Sequence, residues 1–185
     1  MGGRVETRFA TLGARGIRIV IFWLTVILVV AVDQATKAAM LVKLQDGPKP
    51  FIPGVLDLVL VHNTGAAFSF GEGGGIFFVL VALVFLVGSV FVVWNEPDLP
   101  VSLVIPIGLV AGGGTGNMID RLMEGSVIDF LSTSFMNFPV FNVADICVTV
   151  GIALVIIGYL RWDRMRESDS ASQNKSVSRG GFGHV

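Results

Sequence analysis

Cysteine, histidine and charge are scarce in this sequence, and each shortage removes a class of chemistry. The single cysteine, Cys147, rules out an intrachain disulfide and a thiolate metal cage. No base or cation flanks it, so it reads as a small apolar residue, not a nucleophile. The two histidines, His62 and His184, are far apart, and His184 lies in a polar C-terminal stretch. A histidine-built zinc site is not expected, and neither is any other metal or cofactor. Ser69, Ser89 and Ser102 have no histidine partner in an apolar segment, which argues against a serine protease. Charged residues make up only 15% of the chain against about 25% in a soluble domain. A net charge of −1 gives no footprint for nucleic acid. No phosphate-loop GK[ST] follows the glycines at 112–114, and no internal repeat is visible.

What fills the space is apolar: 53% of 185 residues, with a mean hydropathy of +0.78. Four apolar runs occur, at 19–32, Ile76–Trp94, Val101–Ile119 and Ile146–Leu160. A helix needs about 20 residues to cross the hydrocarbon core. The second and third runs meet that length; the first and fourth do so only by continuing through charge, at Asp33 with Lys37 and at Asp145. A cleaved signal peptide is the competing reading of the first run, but three further spans follow it. Four spans place both termini on one side. The tails carry most of the Lys and Arg, so both are expected in the cytoplasm.

The external segments are not plain loops. Val55–His62 is β-branched and partly alternating, with the turn signal Pro53-Gly54 before it, and predicts a strand. Val127–Leu131 and Phe138–Phe141 are short candidates to pair with it. The organisation expected is a cytoplasmic tail over 1–18, an all-α membrane domain of four transmembrane helices over 19–160, and a disordered cytoplasmic tail over 161–185. A small extracytoplasmic β-sheet, over about 51–70 and 120–142, sits on the bilayer.

Ionisable groups at membrane spans cost about 2.5–3.5 kcal/mol each at the bilayer centre, so their placement carries information. Here Asp33, Asn117, Asp120, Arg121, Asp129, Asn142 and Asp145 all fall on the external side. Asp33 and Lys37 are four apart and share a helix face; Asn117 with Asp120, and Asn142 with Asp145, are three apart. Interfacial caps and salt bridges are the plain alternative, above all for Asp33–Lys37 and Asp120–Arg121. Asp129 and Asp145 differ, because neither has a cation in its local sequence. Two such carboxylates brought together share a proton, so one serves as acid and the other as base. That suits metal-free amide hydrolysis. A transporter or proton relay through Asp33, Asp129 and Asp145 would instead need acids spread across the membrane depth. A scaffold would use these groups only as interhelical glue. Gly112 and Gly116 form a GxxxG that lets two helices approach closely.

Five motifs occur in order: Asp33-Gln34-Ala35-Thr36-Lys37, Asn63-Thr64-Gly65-Ala66-Ala67-Phe68-Ser69, Gly116-Asn117-Met118-Ile119-Asp120-Arg121, Val127-Ile128-Asp129-Phe130 and Phe141-Asn142-Val143-Ala144-Asp145. Together they resemble the lipoprotein signal peptidase (signal peptidase II) family over about residues 19–160. The resemblance implies a catalytic dyad at Asp129 and Asp145. It assigns supporting or substrate-binding roles to Asp33, Lys37, Asn63, Gly65, Asn117, Arg121 and Asn142, and a structural role to Asp120. It implies an aspartic endopeptidase of the bacterial inner membrane that acts without a cofactor. Its substrate would be a diacylglyceryl-modified prolipoprotein, cut just before the lipidated cysteine. Membrane lipid and the cyclic peptide globomycin, an inhibitor, are the other implied partners.

Overall fold

The computed structural model describes residues 2–65, 74–96 and 98–180. Helix α1 (Gly2–Lys43) leads into a hairpin of β1 (Lys49–Ile52) and β2 (Leu56–Asn63). Helices α2 (Gly75–Asn95) and α3 (Val101–Glu124) follow, then β3 (Val127–Thr133) and α4 (Val143–Gly180). Four helices contain stretches long and apolar enough to cross a membrane: Arg15–Lys43, Gly75–Asn95, Val101–Glu124 and Val143–Ser168. Only 11% of the apolar stretch of α2 is buried in the protein, and Leu80, Val84, Phe85 and Phe91 face outward. Such a surface is satisfied by lipid, not by water.

Helix α3 is the hub, and glycines let its neighbours close on it. Gly108, Gly112 and Gly116, four apart, face Thr25, Val29 and Asp33 of α1, also four apart. A Cβ on Gly112 would come within 2.8 Å of the Val29 Cβ. The GxxxG expectation therefore holds, and the seam extends one turn further. Gly113 meets Ala144 and Val148 of α4, whereas Gly114 faces Ala82 of α2. At about 100° per residue, Asn117 and Arg121 then point into the angle between α4 and α2.

The sheet is antiparallel in the order β1-β2-β3. Leu58, Phe130 and Leu131 pack in one buried cluster with Leu44, just past the end of α1. The strand β2 lies one residue along from its predicted range. Its register pairs Val61 with Asp129 and Asn63 with Val127. Strand β1 was not among the predicted strands; it contains Pro50 and is an edge strand, where proline is tolerated. Pro53-Gly54 is accordingly the hairpin turn, with Gly54 at φ 74° and the Val55 N–H bonded to the Ile52 carbonyl at 2.9 Å. Phe138–Phe141 does not form a strand. Pro139 has no N–H to give a ladder, and only Phe141 bridges Leu131.

The C-terminal tail differs from expectation: α4 runs to Gly180, where a disordered segment was predicted over 161–185, and α1 begins at Gly2, within the stretch read as an N-terminal tail over 1–18. A helix already nucleated in a span extends cheaply, one bond per residue fixed. Arg18 thereby belongs to α1 and is 4% exposed. Its Nη1 donates to the Glu96 and Leu99 carbonyls, both at 3.0 Å, in the α2–α3 link. Part of the second motif, residues 66–69, the glycines at 71 and 73, and His184 lie outside the described residues.

Candidate active site

The start of α4 builds the centre of the site. Asn142 caps the helix: its Oδ1 accepts the Asp145 N–H at 3.0 Å. The Asp145 Oδ2 in turn accepts the Asn142 N–H at 3.0 Å. This is a reciprocal capping box, which satisfies two otherwise orphaned helix donors. The cap and the site, weighed as alternatives in the sequence, are one structure. The free amide of Asn142 reaches the other aspartate, with Nδ2 2.8 Å from Asp129 Oδ1. One asparagine thus touches both acids.

Asp129 lies in β3 and is 2% exposed. Its Oδ2 accepts Asn63 Nδ2 at 2.9 Å, and Asn63 Oδ1 accepts the Gly65 N–H at 3.0 Å. Burial pushes the Asp129 carboxyl up from 3.8 to about 6. The negative charge of Asp145 adds to this; the hydrogen bonds from Asn63 and Asn142 and the charge of Lys37 oppose it.

A buried charged layer supports the pair from below. Lys37 Nζ lies 2.7 Å from Asp33 Oδ2, 2.7 Å from Asp120 Oδ2 and 2.9 Å from Asn117 Oδ1. Asn117 Nδ2 then donates to Asp145 Oδ1 at 2.9 Å. Asp33 Oδ1 accepts the Ala144 N–H at 3.0 Å, which ties α1 to the first turn of α4. A Cβ on Gly116 would come within 2.5 Å of Asp33 Oδ2, so only glycine leaves room for that carboxylate. The Asp33–Lys37 pair forms as the spacing predicted. Asp120, however, turns to Lys37 and not to Arg121, its neighbour in sequence.

Arg121 serves a different surface. Its Nη2 donates to the Gly65 carbonyl at 2.7 Å, Nη1 to the Asn117 carbonyl at 3.3 Å, and its guanidinium stands 5.0 Å over the Phe78 ring. Its Nε is buried without a hydrogen bond among the described residues. Asn63, Asn117, Arg121, Asp129 and Asp145 line one cavity of about 510 Å³, whose remaining walls include the apolar Phe138, Phe141 and Val148. The cavity is bordered by two carboxylates, two side-chain amides and one guanidinium.

Sequence reasoning missed three contributors. Gln34 Nε2 donates to Asp120 Oδ1 at 2.7 Å. The backbone N–H of Ile128 reaches Asp120 Oδ2 at 3.3 Å, and its carbonyl accepts Asn142 Nδ2 at 3.3 Å. The spacing Asn142-x-x-Asp145 is itself a capping-box signature, which could have marked the start of α4. The outer edge of β3 is also taken: Phe130 and Leu131 both direct their N–H groups at the Phe141 carbonyl.

The chain matches known proteins over most of its length. A family model described as signal peptidase (SPase) II matches residues 25–161. A lipoprotein signal peptidase of Gloeobacter violaceus is 37% identical over 157 residues, covering 84% of this chain and 91% of that protein. One from Symbiobacterium thermophilum is 42% identical over 134 residues, covering 71% and 88%. A solved structure described as a bacterial membrane enzyme aligns with a TM-score of 0.69 at 31% identity, covering 79% of this chain and 88% of that one.

Proposed function

The chain belongs to the signal peptidase II family, and from that premise we propose that it is an aspartic endopeptidase of bacterial prolipoproteins. It removes the signal peptide of a diacylglyceryl-modified precursor by cutting before the lipidated cysteine. The observation that carries this reading is the double contact of Asn142, which bonds to both Asp129 and Asp145 at the wall of one cavity.

The chemistry follows from one proton shared between two acids. Asp129, whose proton affinity is raised by burial, holds that proton and donates it to the scissile carbonyl oxygen. Asp145 takes a proton from water, whose oxygen bonds to the carbonyl carbon. In the second half the C–N bond breaks. Asp145 returns its proton to the leaving nitrogen, and Asp129 recovers one from a hydroxyl of the intermediate. No covalent enzyme intermediate and no metal is required. Asn63 and Arg121 line the cavity and face the peptide. Because the outer edge of β3 is already bonded, the peptide is held by these side chains and the cavity walls instead of by strand addition there.

The distribution of Lys and Arg supports cytoplasmic termini and an active site at the external face of the inner membrane. The precursor's apolar segment and acyl chains stay in lipid, and globomycin competes for the same cavity. A proton relay is disfavoured, because Asp33, Asp120, Asp129 and Asp145 converge at one end of the bundle. The test is cleavage of a diacylglyceryl-modified prolipoprotein in detergent, read by gel shift. Wild type should cut, whereas Asp129→Asn and Asp145→Asn, each folded by thermal melt, should not. Folded variants that still cut would refute the dyad.

A further inference from the structure

We infer that Lys37 is a positioning residue which acts through Asn117: its ammonium fixes the orientation of that amide and so holds Asp145 in place. The inference rests on the peptidase reading above. Lys37 has three N–H donors and three acceptors around it: Asp33 Oδ2, Asp120 Oδ2 and Asn117 Oδ1. At 2% exposure no water competes for them. Two of the three contacts neutralise charge. The third goes to a neutral side chain, which the ammonium orients.

An amide can present either end to a neighbour, and the neighbours of Asn117 permit only one choice. Its Oδ1 faces two donors, Lys37 Nζ at 2.9 Å and Asn142 Nδ2 at 3.0 Å; its Nδ2 faces the carboxylate of Asp145 at 2.9 Å. Rotating the amide by half a turn would set N–H against ammonium and oxygen against carboxylate. Asn142 alone is a weak guarantor of this orientation. Its Nδ2 has two hydrogens and three acceptors within reach: Asp129 Oδ1 at 2.8 Å, Asn117 Oδ1 at 3.0 Å and the Ile128 carbonyl at 3.3 Å. Lys37 is the partner with a hydrogen to spare for Asn117. Lys37 does not line the cavity: its hydrogen bonds reach the reaction through Asn117 and Asp145, and its charge, which also favours ionised Asp129, is the separate effect that the cycle with Asn117 isolates.

The experiment is a double-mutant cycle on kcat and KM for the same prolipoprotein cleavage. Lys37→Met is paired with Asp33→Asn, so that removing the ammonium does not strand that carboxylate. Asp33→Asn alone is the control. The paired variant should lose about 100-fold in kcat, the scale of a misplaced reacting group, with KM kept within about 3-fold. Adding Asn117→Ala should cost no more than about 3-fold further, because both changes break one connection. Effects that multiply, or a paired variant with wild-type kcat, overturn the role of Lys37. If the paired variant does not fold, Lys37→Met with Asp120→Asn carries the same cycle. A wild type that never cuts, or Asp129→Asn and Asp145→Asn that do, refutes the peptidase reading instead.

Discussion

Replacing Asp129 by asparagine should change how stability depends on pH, by an amount the site itself fixes. Burial lifts the carboxyl from 3.8 to about 6. At about 1.36 kcal/mol per pH unit, that interval is worth about 3 kcal/mol. The sign follows from proton binding. Above pH 4 the folded state holds this proton more tightly than the unfolded state does. Asp129 therefore lowers stability progressively as pH rises from about 4 to about 6, and the full penalty persists above that. Asparagine cannot titrate. It also presents only one oxygen to two amide donors, Asn63 and Asn142, so it loses one hydrogen bond at every pH. That loss offsets the melting curve without bending it. The quantity to follow is the difference in Tm between variant and wild type, in detergent, at pH 4 and pH 7.5. It should move in favour of Asp129→Asn by about 2–2.5 kcal/mol, since an unfolded carboxyl is already half-ionised at pH 4, which is roughly 5–10 °C for a chain of this size. Parallel Tm profiles would refute the argument, because they would mean that Asp129 titrates as it does in water.

Four further outcomes are expected. In a pH–rate profile, kcat/KM should fall as pH rises through about 6, where Asp129 loses its proton, and Asn63→Ala should move that limb to higher pH by removing a bond that favours the charged form. Gly116→Ala should displace Asp33 and destabilise by about 1–3 kcal/mol, whereas Gly114→Ala, whose Cβ would meet only Ala82 at 3.8 Å, should melt like wild type. Arg18→Met should lower stability by about 1.5–3 kcal/mol, since its hydrogen bonds to Glu96 and Leu99 are charge-assisted, yet leave kcat per folded molecule unchanged at the far end of the bundle. Arg121→Lys should raise KM more than it lowers kcat, because a point charge cannot reach the Gly65 and Asn117 carbonyls while stacking on Phe78; an unchanged KM would dismiss a role in holding the peptide.

Much of the architecture could be read from residue order because lipid imposes a simple rule. Apolar length marked α2 and α3 to within a few residues, and the one-sided polar residues marked the end where the site lies. The four-residue spacing of Asp33 and Lys37 became a real ion pair, since a helix ladder fixes such spacings. The same logic failed for Asp120 and Arg121. Adjacent residues on a helix diverge by about 100°, so one turned to Lys37 and the other to the cavity. Gln34 was silent for a related reason: its partners, Asp120 and the Gly116 carbonyl, lie on another helix. Strand β1 was hidden by its proline, and the reach of α1 and α4 by the polar composition of their ends. Arg18 looked like tail charge, because its partners are backbone carbonyls, which have no signature in side-chain types.

The reciprocal cap at the start of α4 has a consequence for time as well as for space. The first turn of a helix ordinarily frays more readily than its middle. Here Asn142 and Asp145 hold that turn shut with the same atoms that set the acid in place. Each opening of the turn is therefore also an interval in which the acidic pair is dismantled, and each closing rebuilds it. The Ala144 N–H, tied to a buried carboxylate one residue before Asp145, adds a third bond that opposes this opening.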